Sequence, residues 1–149
     1  MPLKQRGAAT IRWERWKESQ RQIVQRRAHS HCEGCGDNMK PLELAHLVGR
    51  NNKGIGEPWA SSAELTAALC SGKWDELGCH EKIDRALDPA RLKVLRVDAL
   101  LRLCQSYDLG VSEVIGSNQN PLDAIREAVR RLEADGWGYD ADRNQVVKS

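Results

Sequence analysis

The chain has 149 residues, the size of one domain or of one small domain with an appendage. Apolar residues make up 40% and charged residues 30%, enough for a core in a soluble protein; phenylalanine is absent, so tryptophan and the aliphatics must fill it. No apolar run approaches the roughly 20 residues of a membrane span, and no signal peptide precedes the charges, so we expect a cytoplasmic protein with no membrane partner.

The net charge of +2 hides an asymmetry. Residues 1–31 hold eight Lys/Arg against two Glu, a balance of +6, and the rest of the chain balances to −4. A basic arm on a near-neutral body points to a polyanion, most simply nucleic acid; a solvated helix is the alternative. Residues 8–28 read as a helix. Ala9, Trp13, Trp16 and Ile23 fall near one stripe, while Arg12, Arg15, Lys17, Arg21 and Arg26 point mostly elsewhere. A cysteine knuckle follows, CEGCG, and then a short strand from Leu42 to Val48.

GRNNKGIGEPW, residues 49–59, is a loop that carries Arg50 and Lys53. Glu64 to Cys70 reads as a second strand or a helical turn, and CHEKIDRAL, residues 79–87, as a helix. Asp88-Pro89 starts a longer helix, with Asp as cap and Pro in the first position, running to about Ser106. VSEVIG is a short helix. Asn120-Pro121 starts another, carrying Leu122, Ile125, Val129 and Leu132 and ended by Gly136. Residues 136–147 read as a small hairpin.

Five cysteines, an odd number, argue against a disulfide framework and suit four metal thiolates plus one buried thiol. Cys32 and Cys35 grip one zinc from a tight turn that Gly34 and Gly36 allow. Cys70 and Cys79 complete a tetrahedral structural site, although the gap between them is longer than usual; His29 or His31 are substitutes. Cys104 sits in an apolar helix and reads as core.

His80 and Asp84 lie four apart, on one face of a helix, able to share a cation. His46 ends the apolar strand, and the strand–loop–strand–helix order can bring it opposite them. A neutral imidazole base beside a hard cation is equipment for activating water against a phosphodiester. A packed core His46 and a capping His80 are the alternatives.

CEGCG, LELAHLVGR, a glycine-containing loop, LTAALC and CHEKID, in that order over roughly residues 28–88, resemble the HNH endonucleases, also called ββα-metal or His-Me finger nucleases. The resemblance implies a ββα core with His46 as general base. It makes His80 and Asp84 ligands of a catalytic magnesium or manganese ion, and the four cysteines the holders of a separate structural zinc. The sequence departs from the pattern at Ala45, where a metal-ligating His or Asp is common. It departs again near Glu64 and Leu65, where an Asn is common, and in the SGKWDELG spacer of the second cysteine pair. Residues 43 and 45 point to one side of an extended strand, so Glu43 reaches toward the position Ala45 leaves empty; a water there is the alternative.

Residues 100–147 are similar, loosely, to a winged helix-turn-helix, with Arg126, Arg130 and Arg131 near phosphates or bases; a helical buttress is the other reading. The expected protein is therefore α+β in three parts. These are a basic helix over 1–28, a zinc-stabilised ββα-metal nuclease core over 29–88 and a helical region over 89–149. DNA is the expected partner, hydrolysed by a metal-dependent endonuclease. A catalytically inactive zinc-containing DNA-binding protein or regulator is the alternative.

Overall fold

A computed structural model describes residues 7–49, 55–72, 76–116 and 120–149. It is a mixed α+β protein of helices and two small antiparallel sheets. Helix α1 spans Ala8–Ala28. Strands β1 (Leu42–His46) and β2 (Thr66–Cys70) form the first sheet, and α2 (Cys79–Asp84) follows. Then come α3 (Pro89–Tyr107), α4 (Val111–Ile115) and α5 (Pro121–Ala134), and a hairpin of β3 (Trp137–Asp140) and β4 (Gln145–Lys148).

The seam of α1 differs from the expected stripe. Trp16, Val24 and Ala28 are buried, whereas Ile23 is 41% exposed. The reason is tertiary. Val24 and Ala28 pack against Ala63 and Ala68, which pulls the C-terminal half of the helix onto β2. Nearer its N-terminus, Trp13 and Trp16 stack at 5.1 Å and both meet the ring of Tyr139 on β3. The helix ends in a left-handed residue, His29, whose N–H returns to Gln25.

β1 and β2 pair from Leu42 opposite Cys70 to His46 opposite Thr66. Every residue of β2 is buried. Both its faces are covered, Ala68 by α1 and Ala67 with Leu69 by the main core, which explains its continuous small and apolar composition. The residues before it, expected as strand or helical turn, form a 3₁₀ turn at Ala63–Leu65.

The main core lies between α3 and α5. Leu95, Ala99, Leu100 and Leu103 meet Leu122, Ile125, Val129 and Leu132. Both helices start as their sequences predict. The Asp88 side chain accepts from the Arg91 N–H at 3.1 Å and the Asn120 side chain from the Leu122 N–H at 2.9 Å, each followed by proline. Tryptophan replaces phenylalanine as the aromatic filler: Trp59, Tyr107 and Trp137 form an edge-to-face chain at 5.5 and 5.0 Å. Gly136 ends α5 at a φ of +93°, which favours glycine. Among the described residues no helix is long and apolar enough to cross a membrane.

Candidate metal centre and catalytic cluster

The four predicted thiols converge. The Sγ atoms of Cys32, Cys35, Cys70 and Cys79 all lie within 4.8 Å of one another, and Cys35 and Cys70 are 3.7 Å apart. A tetrahedral zinc with bonds of about 2.3 Å sets a sulfur–sulfur edge of about 3.8 Å, so the donor set fits that ion. Backbone amides support the sulfurs. The N–H groups of Gly34, Cys35 and Cys70 donate to Cys32 Sγ at 3.2 to 3.4 Å, and that of Cys79 to Cys70 Sγ at 3.3 Å. Burial alone raises the Cys32 thiol, but those three amides outweigh it and bring it down to about 7. Burial and the neighbouring sulfurs push the Cys79 thiol up. Arg91, held by Asp88 at 3.0 Å, sets its guanidinium 3.6 Å from Cys79 Sγ, a cation against a site that becomes anionic when four thiolates bind one divalent ion.

The glycines of the knuckle have separate reasons. Gly36 adopts a φ of +81°, and a Cβ at Gly34 meets Cys79 Sγ at 3.2 Å. The two described ends of the long spacer between Cys70 and Cys79 meet. Gly72 and Gly78 approach so closely that a Cβ at either runs into opposing backbone. Glu81 ties this neck by accepting from the Gly72 N–H at 2.6 Å and from Ser71 Oγ at 3.2 Å. Cys70 and Cys79 therefore meet despite their separation. His29 and His31 are exposed and outside this group, and Cys104 is buried in the core of α3.

A second cluster joins β1 to α2. His80 Nδ1 lies 3.7 Å from Glu43 Oε2, and His80 Nε2 lies 3.4 Å from Asp84 Oδ2. Glu43 thus reaches the helix across the position of Ala45, which is buried at 3%. The two carboxylates bracket opposite nitrogens of one ring. Among the described residues, the four cysteines are the set of three or more donors that closes on a common point. Glu43 and Asp84, at opposite ring nitrogens of His80, do not close with it on one point.

His46 lies on the other side of the strand. Alternation puts residues 42, 44 and 46 on the face toward α1, and 43 and 45 on the opposite face. His46 Nδ1 is 3.0 Å from the Ala60 carbonyl, and the exposed ring borders a cleft of about 30 Å³. Lys17, Gln20 and Arg21 of α1 form one wall, with Ser61 and Thr66 beside His46 on the other. That volume and polar lining suit a water molecule. The structure therefore gathers Glu43, His80 and Asp84 in one place and His46 with the α1 cations in another.

The predicted nucleic-acid residues divide in the same way. Arg15 and Arg26 are exposed on α1; Arg12 is 3.9 Å from Asp142, Lys17 3.0 Å from Glu14 and Arg21 3.2 Å from Glu18. The pairs of Arg12 and Arg21 are exposed and therefore weak, whereas the Lys17 side chain is largely covered. On α5, Arg126 pairs with Asp123 at 2.7 Å, and Arg130 and Arg131 both pair with Glu127. That helix also buries six apolar side chains in the core, from Leu122 to Leu132. Arg50 and Lys53 lie outside the described residues.

Local spacing gave no sign of Arg27 and Glu33. Arg27 makes two hydrogen bonds to the Glu33 carboxylate, at 2.8 and 2.9 Å, and donates to the carbonyls of Ala63 and Thr66. Glu33 also accepts from the Ala68 N–H at 2.9 Å. Burial raises the Glu33 carboxyl, but Arg27 and that amide outweigh it and hold it below its usual range. This pair locks α1 to the knuckle and to β2, through partners more than thirty residues away in sequence. Comparison with family models, curated proteins and solved structures finds no match for the chain.

Proposed function

We propose that the protein is a zinc-stabilised, metal-dependent endonuclease of the HNH type that hydrolyses DNA phosphodiester bonds. The observation that carries this reading is the setting of His46. Its ring hydrogen-bonds the Ala60 carbonyl through Nδ1 and opens on a water-sized cleft faced by two cations of α1. A ring that donates through Nδ1 keeps its lone pair on Nε2, the tautomer a general base needs. Lys17 and Arg21 attract and orient a phosphate there, and His46 takes the proton from the attacking water.

Glu43, on the far face of the same strand, together with His80 and Asp84 of α2, would hold the catalytic cation. A divalent ion held there would supply charge stabilisation to phosphate oxygens that reach that face of the strand. The four cysteines hold zinc as scaffolding. They fix the start of α2, and His80 directly follows Cys79. The β-β-α order of β1, β2 and α2 supports a ββα-metal core.

One observation favours the alternative, a zinc-containing DNA-binding protein without catalysis. Ala45 offers no ligand, and the two carboxylates sit at opposite ring nitrogens of His80. Supercoiled plasmid incubated with the zinc-loaded protein separates the two. Conversion to nicked or linear forms that starts on adding magnesium or manganese supports the nuclease. Retarded but intact plasmid in every metal, with a parent preparation that is folded, removes it.

A further inference from the structure

A cavity of about 430 Å³ opens between the first turns of α3 and α5. Among the described residues its wall is Pro89, Leu92, Lys93, Arg96, Asn120 and Pro121. Two of these side chains are cations and none is a carboxylate. Lys93 and Arg96 are three apart on α3 and so share a face. Arg96 is half-buried, and its Nε donates to the Leu47 carbonyl at 2.9 Å, which fixes the plane of the guanidinium. Burial, and then the positive charge of Arg126, disfavour the charged form of Arg96.

Several arginines of the molecule are neutralised by a carboxylate. Arg27, Arg91, Arg126, Arg130 and Arg131 each carry an acidic partner. The cavity instead sets the half-buried Arg96 beside the exposed Lys93, and partial desolvation of Arg96 is a cost that an anion relieves. The helix starts are not the donors, because proline occupies the first position of each and Asp88 and Asn120 already cap amides there. Recognition falls to the side chains, and a guanidinium held in a fixed plane suits the paired oxygens of a phosphate. The position also matters. Leu47, which Arg96 holds, directly follows His46. The volume falls in the usual range of ligand sites.

We propose that this cavity docks a phosphodiester of the bound DNA beside the one presented to His46, with Arg96 and Lys93 as its donors. The proposal rests on the nuclease reading above and adds a second anchor to it. Since Arg96 holds the carbonyl of the residue after His46, α1 and this cavity would hold the substrate backbone at two places. Two-point attachment fixes orientation, as positioning of a reacting bond requires.

The test is duplex binding by the full-length, zinc-loaded protein, followed by fluorescence anisotropy without added magnesium, from about 50 to 200 mM salt. Lys93→Gln changes an exposed side chain and leaves the Leu47 contact intact, so its melting temperature should match the parent. It should weaken binding on the order of three- to tenfold and lower the log–log salt slope by about 0.9, the value of one phosphate contact. Arg96→Gln should lose at least as much, and Arg96→Lys should recover part of it. Arg143→Gln, on the C-terminal hairpin, should keep the parent slope. If Lys93→Gln and Arg96→Gln both bind with the parent affinity and slope while the parent still cuts with magnesium, the cavity is not a phosphate site and the nuclease reading stands. If the parent binds no duplex, both fall together.

Discussion

Replacing His46 by alanine separates catalysis from structure, because the cost of an exposed ring is small beside that of a lost base. The ring is exposed, and one of its contacts is a hydrogen bond of 3.0 Å to the Ala60 carbonyl. Such a bond contributes about 1 kcal/mol net. For a domain near this size that is about 2–4 °C in melting temperature. The zinc knuckle does not use this imidazole, so zinc content should hold at the parent value. The catalytic cost is far larger. Loss of a general base slows a reaction about 10²–10⁴-fold, or about 3–5 kcal/mol of barrier. The two effects differ by several-fold in free energy, which is why one mutant decides the matter. Plasmid cleavage and thermal melting are measured on the same preparation, with magnesium or manganese varied. His80→Ala and Asp84→Ala should regain part of their activity at higher metal, because they weaken a cation site. No metal concentration should rescue His46→Ala. A His46→Ala protein that melts within a few degrees of the parent and cuts at near the parent rate would overturn the catalytic assignment. A protein that loses fold, DNA affinity and activity together would make His46 a packing residue instead.

Other consequences are open to direct measurement. The purified protein should carry about one tightly bound zinc, and Cys32→Ser or strong chelation should cost much of the fold, since metal affinity at a thiolate site is folding energy; a folded, freshly purified sample free of zinc counts decisively against this. Neutralising Arg12, Arg15 and Arg26 together should weaken DNA binding without regard to sequence and flatten its salt dependence by about one log–log unit per lost phosphate contact; an unchanged slope would mean these arginines never meet the backbone. The Glu33 carboxyl is held below its ordinary value of 4.5, so its contribution is fully present above that pH and is lost as pH falls through the lower folded value. Glu33→Gln should therefore destabilise the protein at neutral pH by about 1–2 kcal/mol, allowing for the part-exposure of the pair, and narrow the gap from the parent in acid. Melting curves from neutral to acidic pH that stay parallel for the two proteins would exclude this role.

Much of the architecture was legible because it is local. Asp88-Pro89 and Asn120-Pro121 mark helix starts through a side-chain acceptor and a ring that lacks an N–H, and both operate within three residues. The knuckle was legible because two thiols three apart in a glycine-bearing turn, with a second pair downstream, make a full tetrahedral donor set. The face of a side chain on a five-residue strand follows from alternation alone, which is how Glu43 was assigned to the side of Ala45. What alternation does not say is what lies opposite each face. That His46 looks at α1, and Glu43 at His80, depends on which helix covers which side of the β1–β2 sheet. The packing of Val24 and Ala28 on Ala68, and the reach of Arg27 to Ala63 and Thr66, decide it for α1. The same holds for the two glycines that pinch the spacer between Cys70 and Cys79, and for the meeting of Lys93 and Arg96 with the start of α5. These are contacts between segments tens of residues apart. Sequence supplies the donors and their faces, and packing between distant segments supplies their partners.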